Sequence, residues 1–156
     1  MDSTINISIK DFVKKGKFDC IKIGQTKKWI LENFMRPENE LYDLTLDDEI
    51  WKYGAFEFYF KDDILASIFC GDLTLEAGKN FKVDKWILED SFTLIKFIKL
   101  LNKKDIDFRL VNHFVKSEVP KLTRILILSS NVEFGFFSKH EKDTNKFPLG
   151  FFCLSR

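Results

Sequence analysis

The chain has 156 residues, 45% hydrophobic and 31% charged, which excludes a disordered chain and suits one domain or two small fused units. With 25 Lys and Arg against 24 Asp and Glu, the formal charge is +1, so no bulk excess of cations is available to neutralise phosphates and nucleic acid is not an expected partner. No run approaches the ~20 apolar residues of a membrane span, and the N-terminus lacks a basic region followed by an apolar one, so neither a membrane nor a secretory signal is expected and the location reads as cytoplasmic.

In chain order, Ser8 to Lys15 reads as a short helix, with Ser8 as N-cap, Asp11 in the first turn and Gly16 as stop. Ile21 and Ile23 lead to Gly24, and Thr26 caps a second helix. Trp29, Ile30, Leu31 and Phe34 give that helix one broad apolar face, and Pro37 ends it. A polar acidic stretch runs from Glu38 to Glu49. Three strands follow, Ile50 to Tyr53, Phe56 to Lys61 and Ile64 to Cys70, joined at Gly54-Ala55 and Asp62-Asp63. Such short turns make the strands antiparallel neighbours.

Gly71 to Asn80 has no clear apolar period and marks a boundary between a first unit, 1–76, and a second, 77–156. Phe81 to Ile87 reads as a strand. A helix begins at Ser91 or Thr93 and runs through Leu101, with Leu94, Phe97, Ile98 and Leu101 on one face. Ile106 to Phe114, Leu122 to Ser129, Val132 to Ser138 and Phe147 to Leu154 read as four more strands, with Ser130-Asn131 as a turn. The segment from Ala55 to Phe60 echoes the one from Asn131 to Phe136, placing Glu57 against Glu133. The helices do not align at the same offset, and any two amphipathic strands share such a pattern, so duplication and coincidence both fit.

The chemistry-bearing residues are sparse. His113 and His140 are the only histidines, each without a nearby nucleophile pattern, and both read as incidental. Two distant histidines do not make a metal site, so no metal and no cofactor is expected. Cys20, Cys70 and Cys153 are odd in number and widely spaced, which reads as free thiols in a reducing compartment. Asp62-Asp63 falls at a hairpin turn, where Asp is favoured for backbone reasons. Gly24-Gln25-Thr26 lacks the rest of a phosphate loop, and helix capping accounts for it.

Two features carry the partner expectation. The stretch from Glu38 to Glu49 holds six carboxylates and no Lys or Arg; it is either a solvated loop or an acidic surface that meets a basic partner. Trp51 and Tyr53 share one strand face, and Phe56, Phe58 and Phe60 share one face of the next. These rows are either core or an exposed patch of the kind that marks a binding surface. If they are core, Lys52, Glu57 and Tyr59 lie on the opposite, exposed face.

The run Ile21-Lys-Ile-Gly-Gln-Thr-Lys-Lys-Trp-Ile-Leu31, then Pro37, then Ile50-Trp-Lys-Tyr-Gly54 and a strand, resembles the small outer-membrane-assembly lipoprotein family over Ile21 to about Cys70. The chain departs from that family in having no signal sequence and no lipid-bearing Cys. A tandem pair of such units is similar to the β-lactamase-inhibitor-protein architecture, which implies two repeats forming one helix-backed sheet that binds an enzyme. In size and in its Trp-Lys-Tyr-Gly hairpin, the chain also resembles small cytoplasmic immunity proteins of bacterial toxin systems.

The expectation is therefore an α+β protein of two related helix-plus-antiparallel-sheet units forming one helix-backed sheet. Its expected function is non-enzymatic protein binding as an immunity or inhibitor protein, with a small-ligand or scaffold domain as the alternative and an enzyme of unrecognised type as the third choice. The expected partner is a protein, such as a basic toxin domain. The expected contact residues are Glu40, Asp43, Asp47, Asp48, Glu49, Trp51, Tyr53, Glu57 and Tyr59.

Overall fold

The computed structural model describes residues 4–38, 50–76, 81–89, 91–113 and 122–155. Among the described residues, nine strands and three α-helices follow in the order β1 (Ile5–Ser8), α1 (Ile9–Lys15), α2 (Lys27–Asn33), β2 (Ile50–Tyr53), β3 (Phe56–Lys61), β4 (Ile64–Cys70), β5 (Phe81–Asp84), α3 (Leu94–Lys103), β6 (Phe108–His113), β7 (Leu122–Ile127), β8 (Val132–Phe137) and β9 (Leu149–Ser155). The fold class is α+β.

The helix ends follow from local chemistry. The Ser8 hydroxyl accepts from the Asp11 N–H, and Gly16 closes α1 at φ 66°, a left-handed conformation that costs glycine little. The Thr26 hydroxyl accepts from the Trp29 N–H at the start of α2. That helix ends earlier than the sequence suggests: Phe34 is already extended at φ −136°, three residues before Pro37. The turn at Asp62-Asp63 has both residues at positive φ, 52° and 62°, the geometry of a two-residue hairpin whose twist matches its strands.

The main sheet has seven strands in the order β2-β3-β4-β9-β8-β7-β6, and every neighbouring pair is antiparallel. The two halves of the chain meet where β4 pairs with β9, Phe69 opposite Cys153. A second, two-stranded sheet is parallel and joins β1 to β5. Neither its pairing nor β1 itself was expected, because four residues give too short a period and their partner lies far along the chain. The strand expected over Phe81 to Ile87 stops at Asp84. There the Asp84 carboxylate accepts from the Trp86 N–H, and the chain turns into a 3-10 segment over Trp86–Glu89, with Trp86 at φ 49°.

All three helices lie on one face of the large sheet. From α1, Phe12 meets Phe56 and Phe152 edge-on at 6.5 and 5.8 Å. Phe34, at the end of α2, packs on Tyr53 at 5.5 Å, and Phe97 of α3 packs on Phe134 and Phe136 at 4.7 and 5.5 Å. Phe18, between the helices, fills the centre against Phe56 and Phe58. This interlocked aromatic core is why the chain needs so many phenylalanines: each buries a large apolar area, and edge-to-face pairs add ~0.5–1.5 kcal/mol beyond area burial.

Candidate functional site: the face of the sheet away from the helices

Strand alternation sends one residue in two to the face that the helices leave uncovered among the described residues. One cross-strand row crosses all seven strands there, from Lys52 through Glu57, Phe69, Cys153, Glu133 and Leu126 to Arg109. Cations stand at the two ends, carboxylates one strand further in on the first side and two on the second, and the Phe69–Cys153 pair sits in the middle. A parallel row places Arg124, Gly135 and Phe151 side by side on β7, β8 and β9.

The glycines on this face shape it. A Cβ at Gly135 would fall 2.2 Å from the Phe151 ring, and one at Gly150 would fall 2.1 Å from the Phe137 ring. Each phenyl group therefore lies over the bare backbone of the neighbouring strand instead of standing up from the sheet. Phe69 and Phe151 stack at 5.5 Å with 29° between ring planes, and Phe137 adjoins Phe151 at 6.5 Å. The result is a low floor of three rings, of which Phe137 is 38% exposed.

Arg124 borders that floor. Its guanidinium carbon is 5.7 Å from the centre of the Phe151 ring, and Nη1 donates to Glu133 Oε2 at 2.8 Å. Its Nε is buried and has no hydrogen-bond partner among the described residues. Across the sheet, the Tyr59 hydroxyl donates to Glu57 Oε2, and this bond to a carboxylate pushes the Tyr59 phenol up from its ordinary range. Cys153, between the two carboxylates, is also pushed up, mainly by burial and then by Glu133.

The expected contact residues separate into three groups. Glu40, Asp43, Asp47, Asp48 and Glu49 lie outside the described residues. Trp51 and Tyr53 belong to the core, 1% and 0% exposed, which corrects their expected place in a contact surface. The reason is the side the helices take: Trp51 packs on Phe60 at 4.6 Å and Tyr53 on Phe34, with the Tyr53 hydroxyl donating to the Met35 carbonyl at 3.0 Å. Glu57 and Tyr59 lie on the open face, both part-exposed.

No protein-family model, curated protein or solved structure matches this chain.

The remaining candidates stay scattered. The backbone of His113 lies in edge strand β6, and His140 is exposed in the connection after β8. Among the described residues, no three His, Cys, Asp or Glu side chains gather to hold a metal ion, and no helix is long and apolar enough to cross a membrane. Arg124, Phe69, Phe137 and Phe151 were not among the expected contact residues. Their signal was present in part: Arg124 interrupts the apolar run Leu122 to Ile127, and Gly135 interrupts an aromatic one. What pairs Gly135 with Phe151 is the register of β8 on β9, which no local pattern specifies.

Proposed function

We propose that this chain is a non-enzymatic protein-binding module of the immunity or inhibitor type, which occludes a toxin or enzyme partner in the bacterial cytoplasm with the open face of its sheet. The observation that carries this reading is the floor of Phe69, Phe151 and Phe137 opposite the helices. A contiguous apolar area rimmed by charge is characteristic of interaction surfaces. Seven strands at about 4.8 Å spacing, each contributing about 16 Å of length, give a face of roughly 550 Å². A standard interface buries ~800 Å² per partner, so the face needs a flanking segment to complete it. Residues 38–49 carry six carboxylates in the sequence just before β2, and these would steer a basic region of the partner.

The reading of two related units rests on strand order. About the β4–β9 junction, β3 corresponds to β8 and β2 to β7, which sets Glu57 and Glu133 in corresponding middle strands on the same face. Under this reading β6 is an addition to the second unit.

A small-ligand reading has one observation in its favour. An open cleft of about 610 Å³ lies between the end of α1 and the approach to β6, with Lys14 and Lys15 on one side and Asp105 and Asp107 on the other. Its mouth is wide and its lining charges are exposed, so the aromatic floor carries the stronger case.

The test is binding to the product of the adjacent gene. A stable one-to-one complex that silences that product is the expected result, with Phe137→Ala and Phe151→Ala raising koff far more than they lower kon. Neutralising Asp47, Asp48 and Glu49 together should instead slow association and flatten its salt dependence. A folded chain that neither binds nor silences that product would count against the reading.

A further inference from the structure

The geometry points to an acidic segment of a partner protein as the occupant of the open face, seated on Phe151 and held by Arg124. This inference rests on the protein-binding reading above and adds the chemistry of what is bound. It opposes in sign the basic region that residues 38–49 would attract, so the two surfaces would engage different parts of one partner.

Charge on the face decides the sign. Lys61, Arg109 and Arg124 stand on it against Glu57 and Glu133. Both carboxylates already accept a hydrogen bond from a neighbour, Glu57 from Tyr59 and Glu133 from Arg124. The exposed Lys61 and Arg109 form no ion pair among the described residues. The Arg124 side chain is 31% exposed and its guanidinium lies beside Phe151, with Nη1 engaged by Glu133 and Nε buried. A carboxylate arriving over Phe151 would meet the remaining Nη donors of this planar group.

Two other occupants are disfavoured by the same row. A second copy stacked face to face on a two-fold axis along the strands would set Glu57 against Glu133, and on an axis across the strands each against itself. A single-stranded nucleic acid could stack on the rings, but it carries a phosphate at every base, so some fall on Glu57 and Glu133, which flank Phe69 and Cys153 within the row, whereas a peptide carries carboxylates only where its sequence puts them.

The experiment follows backbone amide shifts by NMR in the full chain during three titrations. The probes are an alternating Glu-Leu peptide with one Trp, its Lys-Leu counterpart, and an oligothymidylate. The Glu-Leu peptide should move the amides of Leu126, Gly135 and Cys153, and its affinity should fall about tenfold between ~50 and ~200 mM salt. The double variant K61E/R109E, at two exposed positions, should lose that binding about tenfold while the spectrum of the helix-covered core stays unchanged. If the Lys-Leu peptide takes these amides instead, the protein-binding reading survives and this inference falls. If the oligothymidylate takes them, both fall. If none of the three probes moves them, the inference is overturned.

Discussion

Phe151 lies across Gly135: a side chain at that glycine would begin 2.2 Å from the ring, and the two residues are cross-strand partners on β9 and β8. Filling a glycine beneath an aromatic ring forces the ring to lift or the strands to part. Gly135→Ala should therefore destabilise the fold by about 1–3 kcal/mol. The clash is with the far end of a side chain on the outer face, so removing the ring should relieve it. In urea denaturation, Phe151→Ala combined with Gly135→Ala should cost less than the two single losses added together. Simple additivity would mean that the ring does not rest there.

Lys27 opens α2 with its side chain 4% exposed, 3.3 Å from Asp63, whose side chain is 70% exposed. Its ammonium also lies 5.3 Å from the Phe60 ring and 6.0 Å from Trp51. Asp63 sits in a left-handed conformation that Asn accepts, so Asp63→Asn removes charge without backbone strain. Because water screens the exposed partner, the expected loss is only about 1 kcal/mol. Lys27→Met should be neutral or slightly stabilising, since it removes a buried ammonium and leaves only the exposed Asp63 carboxylate, which water solvates. A loss above ~3 kcal/mol for Lys27→Met would show that the ammonium does more than neutralise Asp63.

Ser130 ties the two ends of the chain together. Its hydroxyl donates to the Val13 carbonyl at 2.5 Å and accepts from the Val132 N–H at 3.1 Å, while Ser129 donates to the Lys14 carbonyl at 2.9 Å. These bonds satisfy carbonyls that the C-terminus of α1 leaves without helical partners. Ser130→Ala should cost about 1–2 kcal/mol. It should also raise amide exchange in α1 while leaving the far strands β2 and β3 protected; uniform loss of protection would contradict a local tether.

Burial pushes the Cys70 thiol up to about 12 from an ordinary 9.0. A raised folded-state value means that the neutral thiol is favoured by folding. That contribution is fully present below pH 9.0 and is lost as pH climbs towards 12. Stability should therefore fall through this window, and Cys70→Ala, although less stable at neutral pH, should show a shallower fall. Thiol-reactive reagent should modify exposed Cys20 first, and Cys70 only as fast as the chain opens. Equal reactivity of the two in the native state would remove the basis for the pH prediction.

The elements with strong local signals were legible from sequence. The caps of α1 and α2, the hairpins at Gly54 and Asp62-Asp63, and the spans of β2, β3 and β4 follow from side chains that act on their own backbone within a few residues. Alternation alone puts Glu57 and Tyr59 on one face of β3. It left open which face the helices take. That choice was made by Phe12, Phe34 and Phe97, whose rings meet the sheet from one side and draw Trp51 and Tyr53 into the core. The parallel β1–β5 pair, the β4–β9 junction and the resting of Phe151 on Gly135 depend on contacts between residues far apart in the chain. Strand period states how a segment alternates and says nothing about its neighbour or register, so the open face existed as a surface only once the two halves had paired.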